Sequence, residues 1–143
     1  MTVSVAEVQS TLAAKISALS GFRQVRQLPE MFGRAHNTLA HLGFSVEVAQ
    51  TSEIPERQRI SVGLYVNSSI RVKFAYRLRP HDIILDYGNA LDKEQAVISV
   101  LLARNFAKGI EVKFIRATRR TPESQEYLIS EIEINALHTI QIN

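Results

Sequence analysis

The sequence predicts an α+β fold, a mainly antiparallel β-sheet with two helices packed on one face. Three observations predict it. Two stretches carry apolar residues at spacings of three and four, one after Ser4 and one after Pro80. Most of the remaining patterned chain alternates apolar and polar residues with a period of two, as half-buried strands do. The resulting order is helix, strands, helix, two strands, which suits a layer of helices over an antiparallel sheet.

The first helix is expected over about 4–20. Ser4 and Glu7 have capping-box spacing, Val5, Val8, Leu12, Ile16 and Leu19 form one apolar stripe, and Gly21 stands where a left-handed residue ends a helix. Phe22, Val25 and Leu28 suggest a short strand before Pro29, and Glu30 to Leu42 has no clean period and reads as irregular. Phe44, Val46 and Val48 then alternate with Ser45, Glu47 and Ala49. Glu53 to Arg59, with Pro55 and four charges, reads as an exposed connection.

Alternation resumes at Ile60, Val62, Leu64 and Val66 and continues in phase through Ile70, Val72, Phe74, Tyr76 and Leu78. Unbroken, this element spans about 60 Å. Asn67-Ser68-Ser69 either lies within it or breaks it into a hairpin, and the pattern leaves both open. Beyond Pro80, Ile84, Tyr87, Leu91, Ile98 and Leu102 predict the buried stripe of a second helix, widened by Ala90, Val97 and Leu101. Asp82, Asp86 and Asp92 suit its positive end, with Arg104, Lys108 and Gly109 at its close. Ile110, Val112 and Phe114 begin a strand, Thr118 to Gln125 reads as an exposed connection, and Leu128, Ile132, Ile134 and Ala136 share one face of the last strand.

A chain of 143 residues without repeats or linker-like composition reads as one domain, 1–143. Cysteine is absent, which excludes disulfides and thiolate metal sites. No apolar run approaches the roughly 20 residues of a membrane span, and no secretory signal pattern opens the chain. The formal charge of +3 permits an anionic partner without requiring one.

Candidate chemistry is sparse. None of His36, His41, His81 and His138 forms a metal-ligand pair with a nearby carboxylate, so structural or surface roles are expected. Asp82, Asp86 and Asp92 read as helix-start electrostatics in preference to a metal or acid–base cluster. Nucleophile elbow, P-loop and dinucleotide glycine fingerprint are all missing. The expectation is a protein that is no enzyme and uses no cofactor or metal.

Charge segregation stands out instead. Arg71, Lys73, Arg77 and Arg79 occupy odd positions opposite Val72, Phe74, Tyr76 and Leu78, and Glu131 and Glu133 stand opposite Ile132 and Ile134. One sheet face is therefore apolar and the other open and charged, with Ile115 and Ile129 its only large apolar residues. Three readings remain open. The charges pair across strands within one subunit; the basic strand meets the acidic strand of a neighbouring copy, making these six residues a subunit interface; or the Arg71–Arg79 face binds nucleic-acid phosphates, although stacking aromatics are not on that side. Glu53, Glu56, Arg57 and Arg59, with Arg119 and Arg120, mark charged loops suited to partner contact.

The stretch IRVKFAYRLRPHDIILDYGNALDKEQAVISVLL from Ile70, followed by GIEVKFIRATRRTP and EYLISEIEINALHTI, completes a pattern over Ser4 to Ile140. In element order and texture it resembles the tail terminator, or tail completion, proteins of tailed bacteriophages. The resemblance implies a homo-oligomeric ring, commonly of six subunits, seated on the last ring of the tail tube protein and offering a surface to head–tail connector or neck proteins. It implies a place in the virion after assembly in the host bacterial cytoplasm, no membrane, and DNA only as cargo through the lumen.

Overall fold

The computed structural model describes residues 1–25, 41–57, 62–103, 106–121 and 126–142. Within these the elements are α1 (Val5–Ser17), β1 (Arg23–Gln24), β2 (Gly43–Glu53), β3 (Gly63–Arg77), α2 (Ile83–Leu101), β4 (Glu111–Arg120) and β5 (Tyr127–Gln141). The strands form one sheet in the order β1-β2-β3-β5-β4. Neighbours are antiparallel except the short β1, which runs parallel to β2. The fold is α+β, as the periodicities predict.

β3 settles the question of the hairpin. It is one 15-residue strand with Asn67, Ser68 and Ser69 inside it. Its pairing with β5 runs without a shift from Gly63 opposite Gln141 to Arg77 opposite Tyr127. At about 3.3 Å per residue this central ribbon is about 50 Å long. The serines are accommodated because each keeps its ladder position, and Ser68 is buried where its hydroxyl has partners.

Two irregularities decide which way side chains point. A register shift between Val48 and Gln50 and another between Phe114 and Arg116 each insert one residue, Ala49 and Ile115. An inserted residue reverses the parity of everything after it. Val112 and Phe114 pair with Ala136 and Ile134, but beyond the bulge it is Ala117 and Arg119 that pair with Ile132 and Ser130.

The main core is one large cluster. Phe44 and Val46 of β2, Ile70, Val72 and Phe74 of β3, and Ile132, Ile134 and Ala136 of β5 meet Val8, Leu12 and Ile16 of α1 and Val97 and Leu101 of α2. Phe22 stands edge-on to Phe44 and Phe74, with ring centroids 6.2 and 5.3 Å apart. α1 begins at the predicted cap, where the Ser4 hydroxyl accepts from the Glu7 N–H at 3.1 Å. It closes at Ser17, short of Gly21; that glycine, at φ 88°, belongs to the following turn, where a Cβ would lie 2.9 Å from Leu42.

Several expectations are corrected. α2 ends at Leu101, so Lys108 and Gly109 lie beyond it in the turn into β4. β4 continues to Arg120, which places Thr118, Arg119 and Arg120 on a strand and not in a loop. Glu53 is likewise the last residue of β2. Ile129 is buried with Ala75 in a small second cluster against Val25 and Tyr127, so the face opposite the main core is not bare there. Leu28, most of the irregular stretch from Glu30, His36, Arg59, Ile60 and Arg104 lie outside the described residues.

The largest correction concerns α2. Its buried residues are Asp86, Ala90, Glu94, Val97 and Leu101, at spacings of four, four, three and four. The expected stripe is met in part: Ala90, Val97 and Leu101 are buried and Ile98 packs against the core, but Ile84 is 90% exposed, and Tyr87 and Leu102 also face outward, as does Leu85. Two carboxylates occupy the inner face because each finds an arginine there.

Candidate assembly surface

On the face of the sheet away from the main core, the register places Glu47, Arg71, Glu133 and Arg116 side by side on β2, β3, β5 and β4. This row alternates in sign, so each charge has an opposite neighbour across a strand. Arg116 Nε lies 3.1 Å from Glu133. One row further along, the Lys73 ammonium stands 3.5 Å from Glu131 and 3.7 Å from Glu47. The residues of the first row line a groove of about 600 Å³ together with Gln50 and Ser69. Of the three readings left open by the sequence, cross-strand pairing within one chain is therefore present at Lys73, Glu131 and Glu133.

Arg77 and Arg79 do not share that arrangement. Arg77 is exposed at the end of β3, and its backbone N–H donates to His41 Nδ1 at 3.1 Å. Burial against Tyr76 pulls the His41 imidazole below its usual range. Arg79 lies past the end of β3 and turns to α2, where Asp86 accepts from its backbone N–H, Nε and a terminal nitrogen at 2.8, 3.0 and 2.9 Å. Those bonds hold the Asp86 carboxyl below its ordinary value against the opposing effect of burial, and they raise Arg79 further. The strict odd-number rule fails for Arg79 because the strand stops two residues before it.

Glu94 is the second inner carboxylate, and the sequence reading passed over it. Its two oxygens accept from Arg119 Nε at 3.0 and 3.1 Å and from the other arm of that guanidinium, and Ser130 Oγ also donates to it. The pairing raises Arg119 above its already high value. Arg119 reaches the helix because the bulge at Ile115 turned it inward. It is thus a clamp on α2 and not a loop residue available to a partner. Arg57 approaches Glu111 at 3.9 Å and lies over the Tyr65 ring, while Glu56 is exposed in the turn after β2.

A buried polar chain closes the far end of the sheet. Thr51 Oγ1 meets Ser68 Oγ at 3.0 Å, Ser68 meets His138 Nε2 at 2.8 Å, and His138 Nδ1 lies 2.8 Å from the Val3 carbonyl oxygen. A carbonyl only accepts, so Nδ1 carries a proton. With a neutral ring, Nε2 then accepts from Ser68, whose oxygen accepts from Thr51. A serine–histidine pair suggests nucleophilic catalysis, but Ser68 is fully buried and meets no solvent. The chain fastens the segment before α1 to β5, a task shared by the Val3 N–H bond to Thr139 at 2.8 Å.

The outward side of α2 remains. Ile83, Ile84, Leu85 and Tyr87 present an exposed apolar run on its first turns, beside Gly88, whose missing Cβ has open space around it. No family model matches the sequence, and no curated protein matches it.

Proposed function

We propose that the chain is a structural subunit that assembles with copies of itself and with other virion proteins, as a ring-forming tail terminator at the head–tail joint of a tailed bacteriophage. The observation that carries the reading is the outward apolar run of α2. A continuous exposed patch of large side chains on an otherwise well-packed domain marks a protein contact. The element order, α1, three strands, α2 and two strands, supports the tail terminator form of it. In that role the ring caps the tail tube, presents its other side to connector or neck proteins, and lets DNA pass as cargo. Among the described residues no helix is long and apolar enough to cross a membrane, and no group of three His, Asp or Glu side chains could hold a metal.

The nucleic-acid reading of Arg71–Arg79 has less support, since Lys73 and Arg79 are held by carboxylates of their own chain. Negative-stain imaging of the protein, alone and with polymerised tail tubes, tests the proposal. Closed rings that cap tube ends are expected. A chain that neither closes rings nor binds tubes contradicts it.

A further inference from the structure

Resting on that assembly reading, we infer that the outward face of α2 seats against strand β4 of a second copy, in a head-to-tail contact. The argument begins with an imbalance inside one chain. α2 buries Asp86 and Glu94 while leaving Ile84 and Leu85 in water. The carboxylates are clamped by Arg79, just past β3, and by Arg119 of β4, and Ala90, Val97 and Leu101 pack beside them, so the helix is held from its inner side with Ile84 and Leu85 turned outward. The outward run Ile83, Ile84, Leu85 and Tyr87 is left for another surface.

Gly88 gives an independent sign. A glycine inside a helix weakens it relative to alanine, and no neighbour in this chain approaches its Cβ position within 4 Å. It lies one turn from Ile84, on the exposed side. A bare backbone at that place lets an incoming chain come close.

The matching surface is β4. It is the last strand of the sheet, so its outer edge meets no strand among the described residues. Phe114 and Ile115, at its bulge, are each 42% exposed. Charge is complementary at the positions not already paired: exposed Asp92 follows the α2 run and exposed Lys113 precedes Phe114 and Ile115, whereas Asp82 and Arg116 meet Arg79 and Glu133 of their own chain. The two patches are also separate. Ala90 of α2 packs with Leu78 and Leu128, while Phe114 pairs with Ile134, six positions along β5 from Leu128, or about 20 Å. Different patches on one molecule make a heterologous contact, which propagates and closes into a ring when the rotation allows.

Native mass measurement and sedimentation of the full chain test this with Ile84→Asp, Phe114→Asp and their equimolar mixture. Both positions are exposed, and circular dichroism checks that each variant folds; Ile115→Asp replaces Phe114→Asp if the latter does not. The wild type is expected as a closed oligomer, each variant as a monomer, and the mixture as a heterodimer, because the pair still holds one intact α2 face and one intact β4. Rings that survive both substitutions overturn the contact but leave the ring reading standing, with α2 then facing a different virion protein. Loss of assembly with Ile84→Asp alone indicates α2 meeting α2, and two disrupted variants that fail to complement show that α2 does not meet β4; either overturns the contact. A monomeric wild type overturns the ring reading and this contact together.

Discussion

Arg79 reaches Asp86 three times, through its backbone N–H at 2.8 Å and two guanidinium nitrogens at 3.0 and 2.9 Å. The bond ties the end of β3 to the first turn of α2 across the short Pro80 connection. With Glu94 and Arg119 it sets which side of the helix faces inward, and so which side is left for a neighbour.

This clamp gives a pH signature. The folded-state pKa of Asp86 lies below its unfolded value, so its contribution to stability is fully present above the unfolded pKa, about 3.9, and is lost as pH falls through the lower folded one. Asp86→Asn is expected to lower the urea midpoint at neutral pH. The gap to the wild type should narrow only as pH drops below about 4. A gap unchanged down to about pH 2 contradicts the ion-pair role.

Glu94 should behave as one half of a pair. Glu94→Leu leaves Arg119 and Ser130 without their acceptor and is expected to cost about 1–3 kcal/mol in chemical denaturation. Adding Arg119→Met should recover much of that loss, since an apolar pair of similar volume replaces a buried ion pair at little cost. Additive losses in the double variant argue against the coupling.

The polar chain at the other end of the sheet is a matter of satisfaction. Ser68→Ala removes the hydroxyl between Thr51 and His138, leaving a buried ring nitrogen without its partner. A loss of about 1–3 kcal/mol is expected. Faster amide exchange at Val3, whose N–H bonds to the Thr139 carbonyl, should accompany it if the chain fastens the N-terminal segment.

Gly88 separates folding from assembly. In the Ile84→Asp background, Gly88→Ala should stabilise the chain by about 0.5–1 kcal/mol. In the wild-type background the same substitution should weaken self-association, because the methyl group enters the contact. A variant that strengthens both contradicts close approach at this residue.

Much of the fold was legible because local patterns and global packing agree in most elements. The cap at Ser4, the alternation from Phe44 and the in-phase run that became β3 all follow from periods of 3.6 and two. What escaped depended on partners distant in sequence. The inward side of α2 was half legible: Ala90, Val97 and Leu101 are buried as expected, but Asp86 and Glu94 take the place of Ile84 and Tyr87 because Arg79 and Arg119 hold them. Arg119 was misplaced because a single inserted residue at Ile115 reverses its side. The charged face was half legible: alternation put Arg71, Lys73, Glu131 and Glu133 on one side, but only the register shows Lys73 between Glu131 and Glu47.

The central claim, that this domain is built to assemble through its own surfaces, is tested most directly by the native mass of the wild-type chain at tens of micromolar. The account predicts a single closed species, a multiple of the 16.1 kDa chain near six copies. A mass of one chain across that range, unchanged when tail tubes are added, contradicts it.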